Sequence, residues 1–179
     1  MQNQRDERLK PIIDLVKEIK ACEAAGAIMA ATVLSYICID TLAYLSAPGG
    51  QENVTKDDFI EWVDRYLKGD ANQPYKYSGV DLYAARCAVL HNWGAEAQSH
   101  RNDSSIPLFG YSNGGSHKLN PEVSERLVII GVASLINDLV IAIENFLYAA
   151  ESDDELRARM GSRIDKVMAN FPFPRKSES

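Results

Sequence analysis

Ala24-Ala-Gly-Ala-Ile-Met-Ala-Ala-Thr-Val-Leu-Ser-Tyr-Ile-Cys-Ile39 is the stretch on which the fold turns. It is the longest uncharged run in the chain and sits between Glu23 and Asp40. It falls short of the roughly 20 residues that cross a bilayer. Its small and hydroxylated side chains suit a helix packed among other helices. The pattern predicts a helix running to about Ala47, apolar nearly all round, as a central helix or a subunit seam is. Pro48-Gly-Gly50 stops it.

Upstream, Leu9, Ile12, Ile13, Val16 and Ile19 recur at helical spacing and predict a first helix over about 5–21, continuing or bending near Gly26. Downstream, Thr55-Lys-Asp-Asp58 reads as a capping box opening a third helix, with Phe59, Val63, Tyr66 and Leu67 on its apolar face. After the loop at 69–74, Ser78-Gly-Val-Asp81 caps a fourth helix that stops near Gly94. From Ala95 to Asn120 the chain turns polar and rich in Gly, Ser and Asn. Within it, Ile106-Pro-Leu-Phe-Gly-Tyr111 predicts a short strand before the turn signal Ser112-Asn-Gly-Gly-Ser116. The β-branched run Leu127-Val-Ile-Ile130 predicts a second strand. A long helix over about 133–150 follows, and Ser152-Asp-Asp-Glu155 reads as a capping box for a last helix to about Asn170. The expected fold is mainly α: a single domain over 1–170 with a small β-hairpin-like excursion between core helices, and a loose tail over 171–179.

The bulk composition narrows the function. A net charge of −6 over 179 residues excludes the global basic field of a protein that coats nucleic acid, so any RNA contact has to be local. The three cysteines, Cys22, Cys38 and Cys87, lack zinc or CxxC spacing and suit a reducing compartment. The first residues lack the apolar core of a signal peptide. A soluble, cytoplasmic protein with no membrane association is expected. No HExxH, carboxylate cage or paired histidine ligands are present, so neither a metal site nor a cofactor is expected.

The chemistry-bearing stretch is Tyr83-Ala-Ala-Arg86-Cys-Ala-Val-Leu-His91-Asn92. A guanidinium clamps phosphate through paired hydrogen bonds, and an imidazole moves protons near neutral pH. Five residues along a helix is about 500°, so the two side chains start roughly 140° apart. A long arginine and a helix end near His91 narrow that angle. Asp40, alone on an apolar helix between Tyr36 and Tyr44, must find a partner, because an unpaired buried charge is costly. Arg86 is the first candidate. Asn92 could orient a substrate or simply end the helix. His100-Arg101 and His117-Lys118 place the other histidines beside cations in the polar segment, where they could help hold phosphate. Trp62 and Trp93 could stack on bases or lie in the core. Asn137 and Asp138 interrupt an apolar helix and should satisfy neighbouring backbone or Arg groups. Cys87 lies next to Arg86.

Taken in order, these pieces resemble the HEPN superfamily. The resemblance rests on Arg86-Cys-Ala-Val-Leu-His91-Asn92 after Leu82-Tyr83, together with Cys38-Ile-Asp40-Thr-Leu42-Ala, Phe59-Ile-Glu-Trp62-Val-Asp-Arg-Tyr66 and Leu135-Ile-Asn-Asp138-Leu-Val-Ile-Ala142. It covers roughly residues 25–160. It implies a compact antiparallel helical bundle that forms a homodimer, with two Arg/His sets facing across a cleft. For active members it implies metal-independent RNA cleavage through attack of the ribose 2′-hydroxyl, as in a toxin or defence effector with an antitoxin or other protein partner.

Under that resemblance Arg86 and His91 are the catalytic pair. Read from the residues themselves, Asn92, Asp40, Cys87, His100 and Arg101 are candidates for binding or orienting substrate, beside structural roles in an ion pair, a helix end or a polar loop. The place after the arginine, often polar (commonly Asn, Asp or His) in active members, is Cys87 here. Two readings stand side by side. Arg86 and His91 favour an endoribonuclease. Cys87 and the acidic charge favour a non-catalytic module that binds nucleotide, RNA or a protein.

Overall fold

A computed structural model describes residues 8–168. In chain order it contains α1 (Lys10–Ala24), α2 (Ile28–Ser46), α3 (Lys56–Tyr66), α4 (Gly79–Asn92) and α5 (Gln98–Asn102). Three strands follow, β1 (Leu108–Ser112), β2 (Lys118–Leu119) and β3 (Leu127–Gly131). The last elements are α6 (Val132–Ser152), α7 (Asp154–Arg163) and a 3-10 turn, Ile164–Lys166. The protein is mainly helical, with bundle character and a small three-stranded sheet.

α2 is the helix around which the others pack: α1, α3, α4, α6, α7 and β1 all contact it. Its Ala31, Tyr36, Cys38, Ile39, Leu42 and Ala43 are buried. The hydroxyls of Thr32 and Ser35 donate back to Ile28 O and Ala31 O at 2.9 and 2.8 Å, which lets a helix buried on several sides carry polar side chains without stranding them. Gly26, at φ +73, makes the break between α1 and α2. Trp62, Tyr66 and Phe146 form an aromatic cluster with centroids 5.3–6.0 Å apart, tying α3 to α6. Trp62 is thus a core residue. By length and composition α2 and α6 are each apolar enough to cross a membrane, and about half of each apolar window is buried inside the fold.

Both central capping boxes form as the sequence predicts. Thr55 Oγ1 accepts from Asp58 N–H and Asp58 accepts from Thr55 N–H. Ser78 and Asp81 repeat the arrangement at the start of α4, with the Tyr75 hydroxyl donating to Asp81 as well. Gly79 lets α4 start directly against α3. Its N–H reaches Asp64 Oδ1 at 2.6 Å, and a Cβ at this position would lie 2.6 Å from Ile60 O.

Four features differ from the sequence reading. The β excursion is not a hairpin: β1 runs parallel to β3 in register Leu108↔Leu127 to Ser112↔Gly131, and β2 pairs antiparallel on the other edge. The Asn113–Ser116 loop crosses the end of β3 instead of turning back. It passes so close that a Cβ on Gly131 would collide with Gly114 O and lie 2.7 Å from Ser116 N. Second, the polar segment contains α5, whose first turn is closed by His100 Nδ1 accepting from Ala97 N–H at 2.9 Å. Third, the cap of α7 is Asp153, accepting from Glu155 and Leu156 N–H, one residue beyond Ser152. Fourth, α7 ends at Arg163, short of the expected helix to Asn170. The expected tail over 171–179 lies outside the described residues.

Several polar side chains inside the fold pair with one another. Tyr36 and Tyr111 hydroxyls share a hydrogen bond at 2.8 Å, and Tyr77 donates to Asp138 Oδ2 at 2.7 Å. Burial pushes all three phenols well up. His117 is also interior: Nδ1 accepts from Gly131 N–H at 3.2 Å, which leaves its proton on Nε2, 3.7 Å from Asp138 Oδ2. The expectation that His117 faces phosphate is therefore corrected. Its ring is 1% exposed and turned toward Asp138, whose hydrogen-bond partner is Tyr77, not an arginine.

Candidate functional site

The site lies where α2 meets α4. Asp40, in the last half of α2, is the single carboxylate of that helix, and Arg86 of α4 reaches it as the sequence requires. Arg86 Nε and Nη2 both donate to Asp40 Oδ2, at 2.9 and 2.8 Å. Side-chain exposures of 19% and 20% place this ion pair at the base of the site. Burial raises the Asp40 carboxyl above its ordinary value against the opposing pull of Arg86. Burial also works against the guanidinium, but the Asp40 carboxylate outweighs it and holds Arg86 above its usual value.

With two of its nitrogens fixed on Asp40, Arg86 has one end left, and that end meets the histidine. Nη1 lies 3.3 Å from His91 Nε2. A guanidinium only donates, so His91 Nε2 is the acceptor and the ring carries its proton on Nδ1 in this arrangement. Asp40 draws the guanidinium across toward α2, and this closes the angular offset that helical spacing alone would leave. His91 is exposed, in the last turn of α4. Nη1 also lies 3.9 Å from Cys87 Sγ. The structure thus brings together Asp40, Arg86, Cys87 and His91.

Two further residues extend the site, neither given a role by sequence. Tyr83, one turn before Cys87, has its phenol pushed up by burial and by the neighbouring thiol. Its ring packs edge-on to Phe59 at 5.6 Å, and Lys56 Nζ stands 5.8 Å from its centroid. The signal for Lys56 was its place in the Thr55–Asp58 capping box, which puts it in the first turn of the helix packed against α4.

The remaining candidates lie elsewhere in role. The Asn92 amide donates to Glu96 O at 3.3 Å, a helix-end contact. Arg101 is exposed on α5 and donates to Gln98 Oε1 at 3.1 Å. His100 is corrected from substrate contact to structural cap: it is 1% exposed, and its Nε2 donates to Pro107 O at 3.1 Å while Nδ1 serves Ala97. Among the described residues no group of three or more His, Cys, Asp or Glu is placed to hold a metal ion.

The buried His100 ring makes a pH prediction. Burial lowers its imidazole below the ordinary value, and protonation would set Nδ1–H against the Ala97 N–H. The unfolded chain takes up this proton near pH 6.5 and the folded chain only at lower pH. The stability conferred by the neutral ring is therefore complete above about pH 6.5 and is lost as the pH falls below it. Urea unfolding followed from pH 7.5 to 5 shows this decline, and in His100→Gln its contribution disappears. An unchanged pH profile in that variant contradicts the assignment.

Compared with known proteins, the chain matches no family model, no curated protein and no solved structure.

Proposed function

We propose that the protein is a HEPN-type endoribonuclease that cuts RNA without a metal, as a homodimer. The observation that carries this reading is the convergence of Arg86 Nη1 and His91 Nε2 on an exposed surface, with Asp40 holding the other side of the guanidinium. An incoming phosphate competes with His91 for Nη1. When the guanidinium turns to a non-bridging oxygen, Nε2 is released with its lone pair free.

Nε2 then takes the proton of the ribose 2′-hydroxyl, whose oxygen attacks the adjacent phosphorus. The 5′-oxygen leaves and gains a proton. The products are a 2′,3′-cyclic phosphate and a 5′-hydroxyl. Arg86 stabilises the charge that builds on the phosphorane. One imidazole supplies a base but not at the same moment an acid. A second copy of the chain, with its own His91 across the cleft, completes the pair. A protein that covers this face, such as an antitoxin, would silence the enzyme.

The test uses purified protein, RNA and EDTA. Wild type cleaves, and His91→Ala loses about 10²–10⁴ in rate with an unchanged melting temperature. The competing reading, a binding module without catalysis, draws on Cys87 and on the neutralisation of Arg86 by Asp40. RNA of many sequences left intact by the wild type would favour it.

A further inference from the structure

Trp93 combines two features that each cost stability. Its backbone lies at φ 49, ψ 38, where a side chain crowds its own carbonyl, and it is the one non-glycine residue with positive φ among those described. The other positive-φ positions, 26, 50 and 69, are all glycine. Its indole is also 66% exposed, whereas Trp62 is buried to 1%. The turn itself does not need the ring. Trp93 N–H reaches Val89 O and Gly94 N–H reaches Ala88 O, both at 3.1 Å, so backbone bonds close α4. Glycine would do this better.

The position of the ring supplies a use for it. Trp93 follows His91 by two residues, so their Cα atoms lie within about 7 Å of each other. Asn92, Trp93, Gly94, Ala95 and Glu96 are all exposed, so the ring stands on an exposed stretch of chain. Arg86 is already matched by Asp40 and the chain carries −6, so charge gives RNA little net attraction here. Affinity must come from another source. An unpaired base has a flat face, and stacking one on an aromatic side chain strengthens binding roughly tenfold. In a duplex those faces are closed by neighbouring base pairs.

We propose that Trp93 is a base-stacking platform beside the Arg86/His91 pair, taking an unpaired nucleobase next to the phosphate and so selecting single-stranded RNA. This rests on the reading of that pair as an RNA site.

The test is a fluorescence-anisotropy titration of a dye-labelled, short unstructured oligonucleotide with the full chain, the riboses 2′-O-methylated so that no 2′-hydroxyl is offered for attack. Wild type shows saturable binding. Trp93→Gly binds about tenfold more weakly, while its melting temperature rises by about 2–4 °C. Trp93→Phe keeps an intermediate affinity.

Equal affinity of Trp93→Gly and wild type overturns the proposal, as does an absence of binding by wild type. Loss of a dimer in Trp93→Gly by sedimentation also overturns it, because the ring would then be covered by a second copy. Cleavage of ordinary RNA by the wild type, measured in parallel, reports on the Arg86/His91 reading separately.

Discussion

Arg163→Met lowers the stability of the fold by about 3–5 kcal/mol, a drop in melting temperature of about 10 °C for a chain of this size. Arg163 is 5% exposed, a guanidinium inside the protein. It donates to Tyr44 O, Ala47 O, Pro48 O and Gln51 O, at 2.8, 2.6 and 2.9 Å for the first, third and fourth. Its carbon sits 5.2 Å from the Tyr44 ring centroid. These carbonyls belong to the end of α2 and the turn that follows, where the helix leaves acceptors unmatched and its dipole is negative.

Methionine keeps the volume and strands the oxygens. Lysine keeps the charge but not the planar fork, so Arg163→Lys recovers only a minor part of the loss. Urea or thermal unfolding decides the matter. A methionine variant within 1 kcal/mol of wild type, on the order of ordinary surface changes, would show that α2 ends stably without this residue.

Arg86→Ala has two separable consequences. Cleavage falls by about 10²–10³, the usual effect of removing one donor to a developing oxyanion. Stability falls by about 1–3 kcal/mol, because Asp40 is left partly buried and unpaired. Asp40→Ala combined with Arg86→Ala removes the stranded charge and restores most of the stability, yet none of the cleavage. If activity returned with stability, the guanidinium would be a structural tie only. Asp40→Ala alone leaves Arg86 present but unanchored, and it lowers cleavage less than loss of the arginine does.

Features set by local rules were legible in the sequence. The uncharged run from Ala24 to Ile39 announced a helix apolar nearly all round, central or at a subunit seam, and the boxes at Thr55–Asp58 and Ser78–Asp81 depend only on residues three apart. The Asp40–Arg86 pair was readable too, since a lone carboxylate on an apolar helix has to be matched.

What escaped depends on contacts distant in sequence. The parallel pairing of β1 with β3 follows from a loop crossing against Gly131, which no periodicity records. His100 and His117 sit in a polar stretch that reads as surface, yet each ring is interior because a backbone N–H needs its Nδ1. Arg163 sits on the same charged helix as Arg157 and Arg159, and nothing local marks it as the one that turns inward. The Arg86–His91 approach lay between these cases. The spacing gave both residues, but the direction of the guanidinium came from Asp40 on another helix.

The chemistry of the RNA ends tests the central claim most directly. With wild-type protein in EDTA, mass spectrometry of the fragments should find 2′,3′-cyclic phosphate and 5′-hydroxyl termini, absent in Arg86→Ala and in His91→Ala. Fragments with 5′-phosphate ends, or cyclic ends that persist in both variants, would contradict a reaction run by this guanidinium and this imidazole.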